Sequence, residues 1–308
     1  MGQAFSGASI AAMSFNMILG IGLPVLLIAL IKKKYKMRLG IVFIGASAYI
    51  VSDMLFLTLI NTLILNITPL ADFFQANRAV YYFAYGVLHG AIQVGGYYLM
   101  IRFLMKDFLR KENALMFGVG VRVIDSVMAY GVNSGLSLLM VATSVNGQGL
   151  DAYLEGFGTE YMEENRAILE NMIGTPASQI LGVGLAGAFL FFLSIAVSVL
   201  VFLAAKRAAK KYLFAPAFLI CMLDGLLLEL YNGGAIDNIL IYMAFLGLLA
   251  VVSCVPAFFV YRADQEQERG RADIITEKPE KAEVSTTSMR DKIARVNQIS
   301  GREDKSKK

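Results

Sequence analysis

Four ionisable side chains, His89, Arg122, Asp125 and Asp224, stand near the middles of long apolar stretches. A charge at bilayer depth costs about 2.5–3.5 kcal/mol on insertion scales. Such groups face a protein interior, pair with one another, and mark a site. A helix needs about 20 apolar residues to cross a hydrocarbon core roughly 30 Å thick. Stretches of that length recur at about 8–31, 39–61, 79–101, 115–141, 178–205, 212–231 and 238–261. With 57% hydrophobic residues and a mean hydropathy of +0.60, a soluble globule is excluded. The expectation is an all-α, polytopic membrane protein: seven transmembrane helices with a polar centre, over residues 1–261.

Basic residues set the expected orientation. Lys32, Lys33, Lys34, Lys36 and Arg38 follow the first stretch, and Arg102, Lys106, Arg110 and Lys111 the third. Lys206, Arg207, Lys210 and Lys211 follow the fifth, and Arg262 the seventh, whereas the other connections carry only Arg78 and Arg166. The positive-inside rule then places a multi-pass protein in the cell membrane with its N-terminus outside and its C-terminus cytoplasmic. The net charge of +4 comes from these loops and the tail, so it does not indicate nucleic acid binding. The first stretch lacks a basic leader and a cleavage site, and reads as a retained span. Met1-Gly2-Gln3-Ala4-Phe5-Ser6 fits the myristoylation pattern, but lies at the end expected outside.

The connection 144–177 is acidic, and Tyr153, Phe157, Tyr161, Ile168 and Met172 can share one face of a surface helix. It reads as an amphipathic connector or, alternatively, a lid over an outward cavity. Residues 262–308 are polar and poor in aromatics, and read as a mostly disordered cytoplasmic tail. Within it Met289, Ile293 and Val296 have the spacing of a short helix.

Several motifs reduce to packing. Gly182 to Gly187 spells a dinucleotide fingerprint but lies in an apolar span without a preceding strand. Gly86/Gly90 and Gly131/Gly135 have the spacing that lets helices approach closely in lipid. Pro24, Pro216 and Pro256 mark expected kinks. Cys221 and Cys254 lie in apolar spans and give no disulfide or zinc-knuckle spacing.

At a rise of about 1.5 Å per residue, His89, Asp125 and Asp224 all lie about 15–18 Å deep on three different helices. His89, Gln93 and Tyr97 share a face at i, i+4, i+8, and Arg122 and Asp125 can pair at i, i+3. Asp53, with Tyr49 one turn earlier, is the next interior candidate, whereas Glu229 lies near a span end. The expected polar centre is Asp53, His89, Gln93, Arg122, Asp125 and Asp224. His89, Asp125 and Asp224 are also the candidates for catalysis. A catalytic zinc centre needs three protein ligands and an open position, and His89 is the one histidine of the chain. No metal and no cofactor are expected.

In wording and span order, most of residues 8–261 resemble the YhfC-type intramembrane metalloproteases, a bacterial family distantly similar to the CAAX-processing membrane proteases. Gly22-Leu23-Pro24 before the lysine loop and Asn113 to Gly120 carry the resemblance. The family's Glu-Glu-x-x-Arg type motif falls on Gln93-Val94-Gly95-Gly96-Tyr97. Its Gly-His-Gly-Gly-Ile-Glu type motif falls on Gly120-Val121-Arg122-Val123-Ile124-Asp125. Val121, Ser194 and Ile220 stand where the resemblance implies histidines, while Asp224 is kept. The resemblance implies the fold and an active-site-degenerate member, a pseudoenzyme. Such a protein would bind a membrane segment, a lipid-like ligand or a partner membrane protein. The alternatives are an active metallohydrolase using His89, Asp125 and Asp224, or a transporter with a buried Arg/Asp path.

Overall fold

The computed structural model describes residues 4–66, 70–156 and 162–267, which form helices joined by short turns, with no strand among them. Ten helices follow in order. They are α1 (Gly7–Tyr35), α2 (Gly40–Leu63), α3 (Leu70–Ala76), α4 (Arg78–Phe103) and α5 (Glu112–Gln148). After them come α6 (Leu150–Glu155), α7 (Met162–Gly174), α8 (Ala177–Lys206), α9 (Phe214–Asn232) and α10 (Ile239–Gln267). A 3₁₀ segment, Ala208–Leu213, leads into α9.

Among the described residues six helices are both long and apolar enough to cross a membrane: α1, α2, α5, α8, α9 with its 3₁₀ lead, and α10. The seventh expected span, α4, is 26 residues long, about 39 Å at helical rise. It carries the polar stripe, which lowers its hydropathy. Large apolar side chains stay exposed along the bundle, including Val25, Phe43, Phe103, Leu248 and Val251, each at least 60% accessible. A soluble monomer rarely leaves so much apolar surface uncovered. The fold is that of a multi-pass protein whose outer face meets the lipid bilayer.

Helix ends follow local chemistry. Ser6 caps α1 by accepting from the Ser9 amide at 3.0 Å. Lys32, Lys33 and Lys34 occupy the last turn of α1, where positive charge suits the helix dipole. Lys36 then takes a left-handed conformation at φ 53° and returns its N–H to the Lys32 carbonyl.

Three spans contain π-helical stretches: Ile18–Gly22 in α1, Ile50–Leu57 in α2 and Ser126–Ser137 in α5. The first has an identifiable cause. Pro24 has no N–H to return to the Gly20 carbonyl one turn earlier. That carbonyl instead accepts from the Ser126 hydroxyl of α5 at 3.0 Å. A proline is thus accommodated inside lipid by a side chain of a neighbouring helix.

The 144–177 connection differs from the single amphipathic helix expected. It forms α6 and α7, whose Leu150, Leu154 and Leu169 are buried with Phe5, Met13, Ala142, Val145 and Ile180. Ile168, expected inward, is 51% exposed, because α7 turns Leu169 and Met172 to the core instead. Phe157 and Tyr161 lie outside the described residues, as do Met1 to Gln3 and the helix expected near Met289. Unit 1, by compactness, runs to Phe258, and the described part of unit 2 is 259–267, still helical and carrying an Arg262–Glu266 pair at 3.6 Å. Helix therefore continues six residues past the expected span end at 261.

Candidate functional site

α4 and α9 pack backbone to backbone. A Cβ on Gly90 would stand 2.9 Å from the Phe218 carbonyl, and one on Gly225 would stand 2.6 Å from His89 Cβ. The missing side chain at Gly225 is what lets His89 lie against α9, where its Nδ1 is 2.9 Å from the Cys221 carbonyl. A carbonyl only accepts, so Nδ1 carries the proton and the Nε2 of the neutral ring is an acceptor. Gln93, one turn along α4, meets that need: its Nε2 is 3.0 Å from His89 Nε2 and 2.5 Å from Asp53 Oδ1. One amide thus donates to the imidazole and to a carboxylate of α2. The Ser52 hydroxyl is 3.0 Å from the other Asp53 oxygen and 2.6 Å from the Ala48 carbonyl, sharing one proton between them. His89 and Gln93 are 3% and 2% exposed.

Arg122 of α5 holds the other half. Its two terminal nitrogens lie 3.2 Å from Asp125 Oδ2 on the same helix and 3.3 Å from Asp224 Oδ2 on α9. The guanidinium also sits over the Tyr49 ring at 5.9 Å. All six residues of the expected polar centre are therefore brought together, on α2, α4, α5 and α9.

Five of the six, all but Gln93, line a cavity of about 220 Å³. Asp53, His89, Arg122, Asp125 and Asp224 line it together with Tyr49, Tyr85, Tyr130 and Tyr242. The sequence missed three of these tyrosines. Tyr85 stands one turn before His89 on the same stripe and stacks on its ring at a centroid distance of 6.0 Å, so spacing could have found it. Tyr130 and Tyr242 carry no local signal. Tyr97, expected on the stripe, is fully buried against Phe117 and lies outside the cavity. No described residue of 144–177 lines the cavity.

A larger cavity of about 440 Å³ lies between α3, α4 and α9, lined by Arg78, Tyr81, Tyr82 and Glu229 among others. It brings together one cation and one carboxylate, far less chemistry than the centre.

The donor set does not fit a catalytic zinc. Such a centre needs three protein ligands and an open position. Here the sole imidazole turns its acceptor nitrogen to an amide donor, and one oxygen of each of Asp125 and Asp224 is already taken by Arg122. Among the described residues no three His, Cys, Asp or Glu side chains are grouped to hold a metal ion. At the positions where the resemblance implies histidines, Val121 is fully buried and the Ser194 hydroxyl donates to the Gly118 carbonyl at 3.2 Å. Ile220 packs against a hydrophobic cluster of α8 and α10.

Residues 18–246 match the sequence profile of the family described as YhfC intramembrane metalloprotease. Over 232 residues the chain is 26% identical to a protein of Bacillus subtilis (strain 168) named Uncharacterized membrane protein YhfC. That match covers 75% of this chain and 88% of the relative. No solved structure matches. A multi-pass helical bundle matched over most of its length by that profile belongs to the YhfC intramembrane metalloprotease family.

Proposed function

We propose that this chain acts by binding a ligand at its polar centre and does not hydrolyse peptide bonds. The observation that carries this reading is the commitment of the groups that would ligate metal. Gln93 donates to His89 Nε2 and to Asp53, while Arg122 bridges Asp125 and Asp224. Without a metal no water is acidified for attack. Fold and chemistry are separable, so a family scaffold can keep its cavity and lose its reaction.

The size of the cavity narrows the occupant. At about 220 Å³ it cannot take a transmembrane helix, but it takes one polar side chain, a lipid headgroup fragment or a small molecule. The transporter reading gains less. α1, α2 and α5 stay wound through their π stretches, whereas transport sites usually use discontinuous helices with free termini at the midplane.

Metal analysis of protein purified without chelators, combined with a membrane-peptide cleavage assay, tests the reading. The expected result is no stoichiometric zinc and no cleavage. About one zinc per chain, lost on His89→Ala together with a cleavage activity, would replace binding by hydrolysis.

A further inference from the structure

The central cavity is lined by more acids than bases. Asp53, Asp125 and Asp224 line it, and Arg122 is the one guanidinium or amine among the lining residues. The His89 Nδ1 donates to the Cys221 carbonyl, and its Nε2 lies 3.0 Å from the Gln93 amide and 3.7 Å from Asp53 Oδ1. Three carboxyl groups against one guanidinium therefore face a space at bilayer depth, where an uncompensated charge is costly. Each carboxylate keeps acceptor capacity. Arg122 takes Oδ2 of Asp125 and Oδ2 of Asp224, and Asp53 is held by two neutral donors.

The walls are aromatic. Tyr49, Tyr85, Tyr130 and Tyr242 line the same space. Aromatic faces attract cations, and cages of aromatic rings with a carboxylate are a recurrent way to hold alkylated ammonium groups. The protein already uses one wall in this manner, with the Arg122 guanidinium over Tyr49 at 5.9 Å. The volume of about 220 Å³ exceeds the roughly 150 Å³ of an engineered cavity that admits benzene. An anion is disfavoured, since the one guanidinium is taken by two carboxylates.

We propose that this cavity binds a small alkylammonium group. Its charge lies among Asp53, Asp125 and Asp224, and its hydrocarbon lies against the tyrosine rings. The proposal rests on the reading of the polar centre as a ligand site and names the ligand's chemistry. A free amine and the amino headgroup of a lipid share that chemistry.

The test is calorimetric titration of the full-length protein in an uncharged detergent and an amine-free buffer at constant potassium chloride. Ethylammonium chloride is the probe, with ethanol and potassium acetate as neutral and anionic controls of similar size. Saturable binding of ethylammonium alone is expected. Asp53→Asn should weaken it about tenfold or more, the scale of a lost charge-assisted hydrogen bond. Tyr85→Leu is the second variant if Asp53→Asn does not fold, and it too should weaken binding. Displacement of the probe by phosphatidylethanolamine and not by phosphatidylglycerol would identify a lipid source. Failure of both to displace it, with ethylammonium still bound, would identify a free amine. Equal response to ethylammonium and ethanol, or undiminished binding by a folded Asp53→Asn protein, would overturn the proposal. The zinc content of the same preparation separates this failure from failure of the binding reading, since stoichiometric zinc would sink both.

Discussion

Gln93 stands between His89 and Asp53, its amide nitrogen 3.0 Å from the imidazole and 2.5 Å from the carboxylate. A glutamine supplies two donors there, where a glutamate would supply none. The difference decides whether the pocket can attract a metal. Gln93→Glu removes both donors, frees His89 Nε2 and adds a carboxylate beside Asp53. The variant should be less stable than the parent without metal and should gain thermal stability on adding zinc. The parent should show no such gain. A zinc-independent melting temperature for the folded variant would mean that His89 is held away from a ligand position by more than Gln93.

Removing the amide altogether tests its structural share. Gln93→Leu leaves His89 Nε2 and Asp53 Oδ1 without that donor in a buried setting. Each unsatisfied group costs about 1–3 kcal/mol. Thermal unfolding in detergent should fall by several degrees. A neutral result would mean that the hydrogen bonds contribute little beyond packing.

The Arg122 bridge gives an order of stabilities. Arg122→Ala leaves Asp125 and Asp224 facing each other unpaired, and should be the most damaging single change, at about 3–5 kcal/mol. Asp125→Ala should be milder, because Arg122 keeps Asp224 at 3.3 Å. Were Arg122 and Asp125 an isolated pair, they would compensate, and their joint removal would be gentler than Asp125→Ala alone. The cross-helix bond reverses that order: Arg122→Ala/Asp125→Ala orphans Asp224 and should be worse than Asp125→Ala. Measuring the three unfolding midpoints decides between an isolated pair and a bridge.

The lysine and arginine asymmetry of the connections predicts an orientation with the N-terminus outside. A reporter fused after Lys308 should report the cytoplasm, and one inserted in 144–177 the outside. The opposite outcome at either position would reject the N-out, C-in arrangement.

The sequence made the spans and the polar level legible because both are written in local composition. Apolar runs of about 20 residues mark helices, and His89, Asp125 and Asp224 stand at similar depth along theirs. Depth along a helix does not give rotation about it. The arrival of Tyr130 and Tyr242 at the cavity depends on how α5 and α10 turn against the other helices, whereas the stack of Tyr85 on His89 lies within α4 and is written in its i, i+4 spacing. In 144–177 Tyr153 and Met172 pack inward as expected and Ile168 does not, for a related reason. Ile168 and Leu169 are adjacent and equally apolar, and only the cluster with Phe5 and Met13 selects Leu169 as the inward one. The π stretch before Pro24 was half legible. The proline announces a freed carbonyl, but its partner Ser126 is more than a hundred residues away in sequence.

Gly225 offers the sharpest test of how the site is held. An added Cβ would stand within 2.6–2.7 Å of three atoms of His89, closer than packed atoms approach. The imidazole cannot swing aside without losing Cys221, Gln93 or both. α4 and α9 would have to part, and overpacking of this kind costs about 1–3 kcal/mol. Gly225→Ala should therefore lower the unfolding midpoint and disturb His89, seen as a shift of its imidazole resonances. Gly95 is the matched control on α4, where a Cβ would meet nothing within 4 Å. Gly95→Ala should be neutral or stabilising by up to about 1 kcal/mol, since alanine is the better helix former. Equal midpoints for the two variants would show that the α4–α9 contact yields easily, and that the position of His89 is not fixed by that close approach.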